Sequence, residues 1–344
     1  MSPMNGSTAE GRRALVTGAG GFIGGHLVRE LLARGAAVRA VDHKPVERWC
    51  QLDPAAENIE LDLSRREACE QAADGVADIY NLASDMGGMG FIEANKAACM
   101  LSVLIDTHML MSARDAGVER FFYSSSACVY ANYRQTTPDL TPLSEPDAYP
   151  ADPEDGYGWE KLFSERMCRH FTEDFGLQTR VARYHNVYGS HGAWKGGREK
   201  APSATCRKVA EAVHDGGGEI EIWGDGKQTR SFTYIDDCVR GTLDVIEGPA
   251  IEPVNLGSAE LVTIDGLVDV VEEIAGVKLK RSYKLDAPEG VRGRNSDNTR
   301  FRETYGWEPS IPLREGITKT YAWIYDQVAA ERAGQDVKSA APSG

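Results

Sequence analysis

The sequence predicts an α/β protein with a doubly wound parallel sheet and a smaller C-terminal lobe. Short apolar runs alternate with segments of helical periodicity from residue 12 to about 190, which is typical of parallel strands joined by crossover helices. Beyond Tyr188 the chain becomes glycine-rich and basic, as in GSHGAWKGGREKAPS. We therefore expect a sheet domain over 12–190, a lobe mainly over 191–330 that exchanges segments with the sheet, and a tail over 331–344.

The first strand–helix–strand unit lies between Arg13 and Asp42. ALVTG is a short apolar strand, and AVRAVD is the next strand. Between them Ile23, Leu27 and Leu31 share one face of a helix, which ends at a glycine. The spacing of four residues indicates helical periodicity, so this unit predicts two parallel neighbouring strands.

The same alternation continues along the chain to the end of the predicted sheet. ADIYNLAS predicts a strand, and FIEANKAACMLSVLIDTHMLMSARDAG predicts one long helix that ends at Gly117. ERFFYSSS predicts the next strand, DGYGWEKLFSERMCRHFTEDFG a helix that ends at Gly176, and QTRVARYHNVYG a strand and turn. Glycine at these helix ends suits the left-handed backbone of a C-terminal cap.

The charge balance limits the partners of the protein. The 344 residues carry 38 Lys and Arg against 52 Asp and Glu, a formal net charge of −14. This disfavours a broad nucleic-acid surface, which needs a basic stripe, but local cations can still bind one small anion. No apolar stretch approaches the roughly 20 residues of a membrane helix. We therefore expect neither a nucleic-acid nor a membrane partner.

The cysteines favour a reducing compartment. There are seven, an odd number, and no two have the C-x-x-C spacing. A disulfide framework and a zinc site are both poor interpretations of such a scatter, and the polar N-terminal stretch lacks the apolar core of a signal peptide. We expect a cytoplasmic protein without a metal site.

A glycine-rich turn joins the first strand to the first helix. Gly18, Gly21 and Gly24 form a G-x-x-G-x-x-G pattern with Phe22 and Ile23 between the last two glycines. Glycines let the backbone approach a pyrophosphate, and the helix N-terminus offers free N–H groups and a positive dipole. Because a strand precedes and a helix follows, the pattern predicts a Rossmann-type dinucleotide site formed by these five residues.

Acidic residues after the second strand indicate which dinucleotide is bound. Asp42 lies 18 residues after Gly24, where a carboxylate accepts hydrogen bonds from a ribose diol and repels a 2′-phosphate. This favours NAD over NADP, although His43 and Lys44 could tolerate a phosphate. Asp62 could contact the adenine edge or cap the next helix, and the sequence leaves these alternatives open.

The reactive residues are predicted at the end of one strand and on the helix that follows it. Tyr157 and Lys161 in YGWEK lie on one helical face. A nearby ammonium and a cationic nicotinamide would lower the tyrosine pKa from about 10, so that Tyr157 could act as a base. Such pairs are common on amphipathic helices, but here they follow the serine-ended strand FFYSSS. We expect Ser126 at that strand end to bind the reacting alcohol.

These residues in this order resemble the extended short-chain dehydrogenase/reductases that act on nucleotide sugars. A narrower resemblance, to the GDP-mannose 3,5-epimerases, extends from near residue 12 to near residue 328. It rests on the segments NLASDMGGMGFIEANKA, SSACVY, YGWEK, YHNVYG, WKGGREKAP, WGDGKQTRSFTYIDD and PEGVRGRNSDN. The resemblance implies NAD-dependent epimerisation of a GDP-sugar at C3″ and/or C5″, with GDP-L-galactose and/or GDP-L-gulose as products, and a homodimer.

The resemblance also implies an acid/base pair formed by Cys128 and Lys200. NAD would oxidise the C4″ alcohol to a ketone, and the ketone would acidify the neighbouring C–H bonds. From the residues alone, Cys128 could be a packing residue and Lys200 a phosphate contact. Cys128 lies just past a strand end, where open α/β sheets bind ligands, and near a lysine-rich loop that would favour thiolate.

The expected substrate contacts include two glycines that let the backbone approach the sugar and arginines whose fork suits a diphosphate. The full set is Gly87, Gly88, Ser126, Asn186, Glu199, Lys200, Lys208, Gln228, Arg230, Arg292 and Arg294. Other interpretations remain open at this point. They are a nucleotide-sugar 4-epimerase, a 4,6-dehydratase, or a non-catalytic NAD-binding protein.

Overall fold

The computed structural model describes residues 11–339. The strands in this part of the chain are β1 (Arg13–Thr17), β2 (Ala37–Asp42), β3 (Glu57–Glu60), β4 (Asp78–Asn81), β5 (Arg120–Ser126), β6 (Gln178–Tyr184), β7 (Val187–Tyr188), β8 (Glu219–Trp223), β9 (Thr229–Ser231), β10 (Thr233–Tyr234), β11 (Val254–Leu256), β12 (Leu261–Thr263), β13 (Lys280–Lys284) and β14 (Gly293–Arg294). The α-helices are α1 (Phe22–Ala33), α2 (Arg66–Ala73), α3 (Met89–Ala94), α4 (Lys96–Met100), α5 (Ser102–Asp115), α6 (Tyr157–Phe175), α7 (Ala201–His214), α8 (Ile235–Glu247), α9 (Ile264–Ala275), α10 (Thr299–Tyr305) and α11 (Leu313–Arg332).

Seven parallel strands form the main sheet in the order β11-β6-β5-β4-β1-β2-β3. The strand order runs outward from β1 in both directions, so the predicted doubly wound α/β fold is confirmed. The last strand of the sheet, β11, comes from the chain beyond residue 190. Because neighbouring strands are parallel, the carboxyl ends of β1, β4 and β5 meet at one edge of the sheet, where such folds bind ligands.

The core has two layers, one on each face of the sheet. Along β1, Ala14 and Val16 belong to one cluster of buried side chains, and Leu15 belongs to the other. This alternation follows from the period of two in a strand. Helices α2 and α5 cover the Leu15 side, whereas α1, α8 and the C-terminal lobe cover the opposite side.

The C-terminal lobe consists of α7, α9 and α11 packed together, with two small sheets beside them. One sheet pairs β13 with β8, and the other has the order β12-β9-β14. The pairing of β14 with β9 places Arg294 opposite Arg230. Two of the predicted substrate contacts thus lie side by side although 64 residues separate them.

The prediction of one long helix that ends at Gly117 is wrong in one respect, because the segment is divided into α3, α4 and α5. Asn95 leaves the helical region with φ −131°, and its side-chain amide donates to the Phe91 carbonyl at 2.8 Å. Asparagine competes in this way for backbone partners, which separates α3 from α4 without a glycine or proline. The interruption between α4 and α5 is slighter, because Leu101 keeps right-handed helical backbone angles. The end itself is as predicted, since Gly117 adopts φ 69°.

The last helix extends further toward the C-terminus than the sequence indicated. Helix α11 continues to Arg332, inside the segment predicted to be a frayed tail. After it, the Lys338 ammonium donates to the Trp49 carbonyl at 3.3 Å, and Ser339 donates to the Lys195 carbonyl at 3.5 Å. These contacts hold the described part of the tail against the body of the protein.

Candidate active site

The three serines at the end of β5 have different partners. Ser124 donates to the Asn81 carbonyl at 3.0 Å, and Ser125 donates to the buried Glu165 carboxylate. The hydroxyl of Ser126 instead accepts from the Cys128 N–H at 3.2 Å and lies near Tyr157, whose pKa it lowers. The first two hydroxyls are therefore used to hold β5 in place. Ser126 alone of the three faces the predicted reactive residues.

Helix α6 begins against the segment that carries Cys128. Gly156, at φ 78°, turns the chain into the helix, so that Tyr157 is its first residue. A Cβ atom at Gly158 would lie 2.3 Å from the Cys128 carbonyl oxygen. Only glycine permits this approach, which brings Tyr157 and Cys128 into one cluster of buried side chains.

Burial controls the protonation of Tyr157, whose phenol is 5% exposed. It raises the tyrosine pKa well above 10, and the nearby Cys128 and Glu160 act in the same direction, while the Ser126 hydrogen bond opposes them. Desolvation of the phenolate in this enclosed position dominates without the cofactor. The lowered pKa expected from the sequence requires the cationic nicotinamide as well as Lys161, and it stays a prediction for the NAD-bound enzyme.

Lys161 lies in a closed polar pocket beneath Tyr157. Its side chain is 2% exposed, and its ammonium lies 5.6 Å from the Tyr157 ring centroid and 4.8 Å from that of Tyr123. The Glu160 carboxylate is 3.6 Å from the ammonium. Tyr123 also donates to Asp106 at 3.0 Å. Sequence reasoning did not identify this acidic pocket, because its residues come from three separate elements.

Cys128 is buried, with 7% exposure, but its sulfur faces the candidate site. The Arg294 guanidinium donates to Sγ at 3.4 Å, and Tyr157 belongs to the same cluster. Burial raises the thiol pKa; the Glu154 carboxylate adds to this effect, and Arg294 opposes it. The basic neighbour Arg294 does favour the thiolate, in the direction expected from the sequence, but desolvation of the thiolate outweighs it in the resting protein.

Lys200 precedes α7 on a loop that is closely fitted to the Gly87–Gly88 turn. The Gly88 N–H donates to the Arg198 carbonyl at 3.0 Å, and a Cβ at Gly88 would lie 2.5 Å from the backbone carbonyl oxygen of Glu199. Burial lowers the Lys200 pKa, while Cys128 raises it. These two effects indicate an amine in an enclosed position whose charge depends on the nearby thiol. Arg198 is itself bound to Asp85 at 2.5 Å.

The three candidate arginines differ in their surroundings. Arg294 is 4% exposed and contacts Cys128, whereas Arg230 is half-buried and donates to the Thr229 and Glu289 carbonyls. Arg292 forms ion pairs with two carboxylates, those of Asp225 at 3.0 Å and Glu289 at 2.9 Å. Arg294 pairs with one carboxylate, that of Glu154 at 3.4 Å, and Arg230 with none among the described residues, so both are better placed than Arg292 to receive an anionic ligand.

The remaining predicted substrate contacts lie around the same lobe. Asn186, at φ 44°, donates to the Ser231 carbonyl at 3.0 Å, and Lys208 donates to the Glu221 carbonyl at 2.7 Å. Gln228 donates to Trp223, and its side-chain oxygen is buried without a protein partner, as is one oxygen of Glu199. A buried acceptor without a partner is costly, so these two atoms suit donors on a ligand.

The glycine turn has the shape that a dinucleotide pyrophosphate requires. Gly18 has φ 69°, and a Cβ on it would lie 3.2 Å from the Ala83 backbone. A Cβ on Gly24 would lie 2.3 Å from the Gly18 oxygen, so α1 can begin here only because glycine is present. The N–H groups of Phe22 and Ile23 stand at the helix start, where an anion binds favourably. The residues present fit the predicted dinucleotide.

The acidic residues after β2 and β3 lie in different environments. Asp42 is 6% exposed and accepts from the Lys44 N–H at 3.0 Å, whereas the Lys44 ammonium donates to the Gly20 carbonyl at 2.8 Å. The Asp62 carboxylate is exposed and accepts from both the N–H and the hydroxyl of Ser64. These bonds form a local turn before α2, whose N-cap is Arg65 without a side-chain capping bond. Asp62 therefore does not cap that helix, and its contact with the adenine edge stays a prediction.

The fold, the glycine turn and the Ser126–Tyr157–Lys161 arrangement define a nucleotide-dependent epimerase or dehydratase. The chain belongs to the NAD dependent epimerase/dehydratase family, whose model matches residues 14–257. Both the family resemblance and the expected NAD cofactor are thereby confirmed.

Within that family the chain belongs with the GDP-mannose 3,5-epimerases. It is 45% identical over 332 residues to GDP-mannose 3,5-epimerase of Arabidopsis thaliana and 44% identical over 331 residues to GDP-mannose 3,5-epimerase 1 of Oryza sativa subsp. japonica. Each alignment covers 96% of this chain and 86% of the relative.

Solved structures of other epimerases share the fold. UDP-glucose 4-epimerase of Thermotoga maritima, solved with UDP-glucose, matches with a TM-score of 0.82 and 26% identity, covering 92% of this chain and 99% of that one. UDP-glucuronic acid 4-epimerase of Bacillus cereus, solved with UDP-glucuronic acid and NAD, matches with a TM-score of 0.77 and 25% identity. That alignment covers 91% and 99% of the two chains.

Proposed function

We propose that this enzyme catalyses the NAD-dependent epimerisation of GDP-mannose at C3″, C5″ or both, through a transient 4-keto sugar. The observation that carries the proposal is the juxtaposition of Cys128 with the alcohol-oxidising residue Tyr157 and with Arg294. The near-complete alignment with the two plant relatives supports the choice of substrate.

The residues divide the reaction into proton steps at named atoms. When bound, NAD supplies the hydride acceptor and, at the end of the turnover, the hydride donor. Ser126 orients the C4″ hydroxyl. Tyr157, protonated in the resting protein, must first lose its own proton to solvent, which the Lys161 ammonium and the positive charge of a bound nicotinamide would favour; its phenolate oxygen then receives the proton of the C4″ hydroxyl as the alcohol is oxidised. Lys161, enclosed next to Tyr157, stabilises the phenolate at that moment. The same residues return the proton when the ketone is reduced.

Inversion at a carbon next to the ketone needs two further proton-active groups, one to remove a proton and one to return it. Cys128 Sγ and Lys200 Nζ are the proposed pair, and their charges influence each other in the structure. A 4-epimerase needs no such pair, and a 4,6-dehydratase usually carries acidic residues where this chain has Ala127 and Cys128. The proposed function is therefore favoured over both alternatives.

The proposed substrate contacts follow from charge and from unsatisfied acceptors. Arg230 and Arg294 would bind the diphosphate, while Gly87 and Gly88 would let the backbone approach the sugar. The other contacts expected from the sequence keep their proposed roles. They are Asn186, Glu199, Lys200, Lys208, Gln228 and Arg292.

The enzyme is also proposed to form a homodimer. Helices α4, α5 and α6, together with the residue that joins the first two, expose large apolar side chains, namely Met100, Leu101, Leu104, Trp159 and Phe163. An exposed apolar group of this size favours burial against another protein surface. Light scattering after gel filtration should give twice the chain mass, and Leu101→Glu together with Phe163→Glu should give the chain mass. A monomer in the unsubstituted protein would contradict the proposal.

A cytoplasmic location is proposed on the chemistry of the cysteines. All seven are free thiols, and six of them are buried, as expected in a reducing compartment. In the part of the chain from 11 to 339, no helix has the length and apolar character needed to cross a bilayer.

The proposed reaction predicts a specific pattern of isotope exchange. Incubation of the enzyme with GDP-mannose in D₂O should introduce deuterium at C5″, and at C3″ if that centre also inverts, as seen by NMR. Cys128→Ala should abolish formation of the inverted, deuterium-labelled products and still permit transient NADH absorbance, because Tyr157 and Lys161 remain. As the matched control, Cys69→Ala removes another buried thiol and should exchange normally. Absence of exchange in the unsubstituted enzyme would refute the proposed reaction.

A further inference from the structure

Glu154 lies in the loop before α6 and has no part in the reaction described so far. Its N–H donates to the Cys128 carbonyl at 3.0 Å, so the two residues are joined through the backbone. Its side chain is 12% exposed, and Oε1 is buried without a hydrogen-bond partner. A buried carboxylate oxygen without a partner is expensive and indicates a specific role.

Arg294 is the shared partner of this carboxylate and the reactive thiol. Its Nη1 lies 3.4 Å from Cys128 Sγ, and its Nη2 lies 3.4 Å from Glu154 Oε2. The Nε atom donates to Gln135 Oε1 at 2.7 Å, which fixes the plane of the guanidinium. One rigid fork thus presents two adjacent nitrogens to a sulfur and to a carboxylate.

The charged groups around Cys128 come from several elements. Three cations face it, Arg294 from β14, Arg230 from β9 and Lys200 from the loop before α7. Tyr157 is the titratable neighbour on α6, and Glu154 is the one carboxylate among these groups. The cations favour a thiolate. Glu154 opposes them, because a carboxylate repels a thiolate and accepts a hydrogen bond from a thiol.

We propose that Glu154 is a positioning residue that keeps the proton on Cys128 Sγ by accepting its hydrogen bond and by pairing with Arg294, whose charge would otherwise favour the thiolate. The free carboxylate oxygen is available for this bond, and the short backbone connection keeps the two side chains together. The catalytic consequence, which rests on the proposed function, is that Cys128 enters the turnover as the proton donor and the Lys200 amine as the proton acceptor.

The test is a titration of the Cys128 thiol in the free protein, without any sugar. The rate of alkylation of Cys128 by iodoacetamide is followed by peptide mass spectrometry as a function of pH. Glu154→Gln should lower the midpoint by about one unit or more, because the repelling charge is removed. Asp155→Asn removes the neighbouring carboxylate, which is exposed and paired with Lys96, and should leave the midpoint unchanged.

A second variant separates this role from a general loosening of the site. Arg294→Gln removes the cation and should raise the midpoint, opposite to Glu154→Gln. Loosened packing would move both variants in the same direction, so shifts of the same sign would overturn the proposal, as would an unchanged midpoint in Glu154→Gln. Because no sugar is present, failure here is distinct from failure of the deuterium exchange, which tests the reaction itself.

Discussion

Substitution of Gly158 by alanine should damage the active site by a predictable amount. The new Cβ would lie 2.3 Å from the Cys128 carbonyl oxygen, where ordinary contacts are 3.4 Å or longer. The start of α6 and the Cys128 segment must therefore separate by about 1 Å, and such overpacking costs about 1–3 kcal/mol of folding free energy. A shift of about 1 Å between reacting groups can reduce the rate about 100-fold.

Two measurements on Gly158→Ala check this reasoning. Urea unfolding should show the lower stability, and the deuterium exchange rate with GDP-mannose should fall about 100-fold. In the control Gly266→Ala, the new Cβ lies 3.0 Å from a methyl group of Val262, which can move aside, so stability should change by less than about 1 kcal/mol. A Gly158→Ala enzyme with unchanged stability and exchange rate would refute the close-approach argument.

Three further predictions concern stability, pH and cofactor binding. Glu165→Ala leaves the buried Arg183 without its carboxylate, which lies 2.7 Å away, and should lower the free energy of unfolding in urea by about 3–5 kcal/mol; an unchanged midpoint would contradict this. A plot of the exchange rate against pH should be bell-shaped. The rate should fall in acid as the Lys200 amine, whose pKa is lowered, is protonated, and in base as the Cys128 thiol, whose pKa is raised, ionises. A rate that is independent of pH would exclude Cys128 and Lys200 as the acid/base pair. Asp42→Asn should weaken NAD binding about tenfold, measured by fluorescence titration, and improve the relative affinity for NADP; equal NAD affinity would show that this carboxylate does not contact the ribose.

The predicted fold agrees with the structure because its signals are local. Apolar strand segments, the glycine turn and the order of strand and helix ends are all visible in the sequence. In parallel sheets the carboxyl ends of strands meet at one edge, so the order alone was enough to bring Ser126 and Tyr157 together. The division of the helix after residue 89 has a weaker signal, a single asparagine inside an otherwise helical run.

The environment of the thiol could not be predicted in the same way. Glu154 occurs in the segment ADPEDG, whose acidic residues suggest a solvated loop. It is buried because Arg294, 140 residues further along the chain, forms a strand beside it. The directions of the Cys128 and Tyr157 pKa shifts depend on this enclosure, which no local pattern reveals. The sequence thus indicated the candidate reactive residues but not their resting protonation.

The arrangement of cations explains how an acidic protein can receive a diphosphate. Arg230 and Arg294 are neighbours across the β9–β14 pair, and burial together with the Arg294 charge lowers the pKa of Arg230 to about 9. Two cations that repel each other in a low-dielectric site are stabilised by a dianion placed between them. Glu154 offsets part of the Arg294 charge, and Arg292 gains least from such a ligand, because two carboxylates, Asp225 and Glu289, already neutralise it. The negative net charge of the whole chain matters little at this distance, since solvent and salt screen the surface carboxylates.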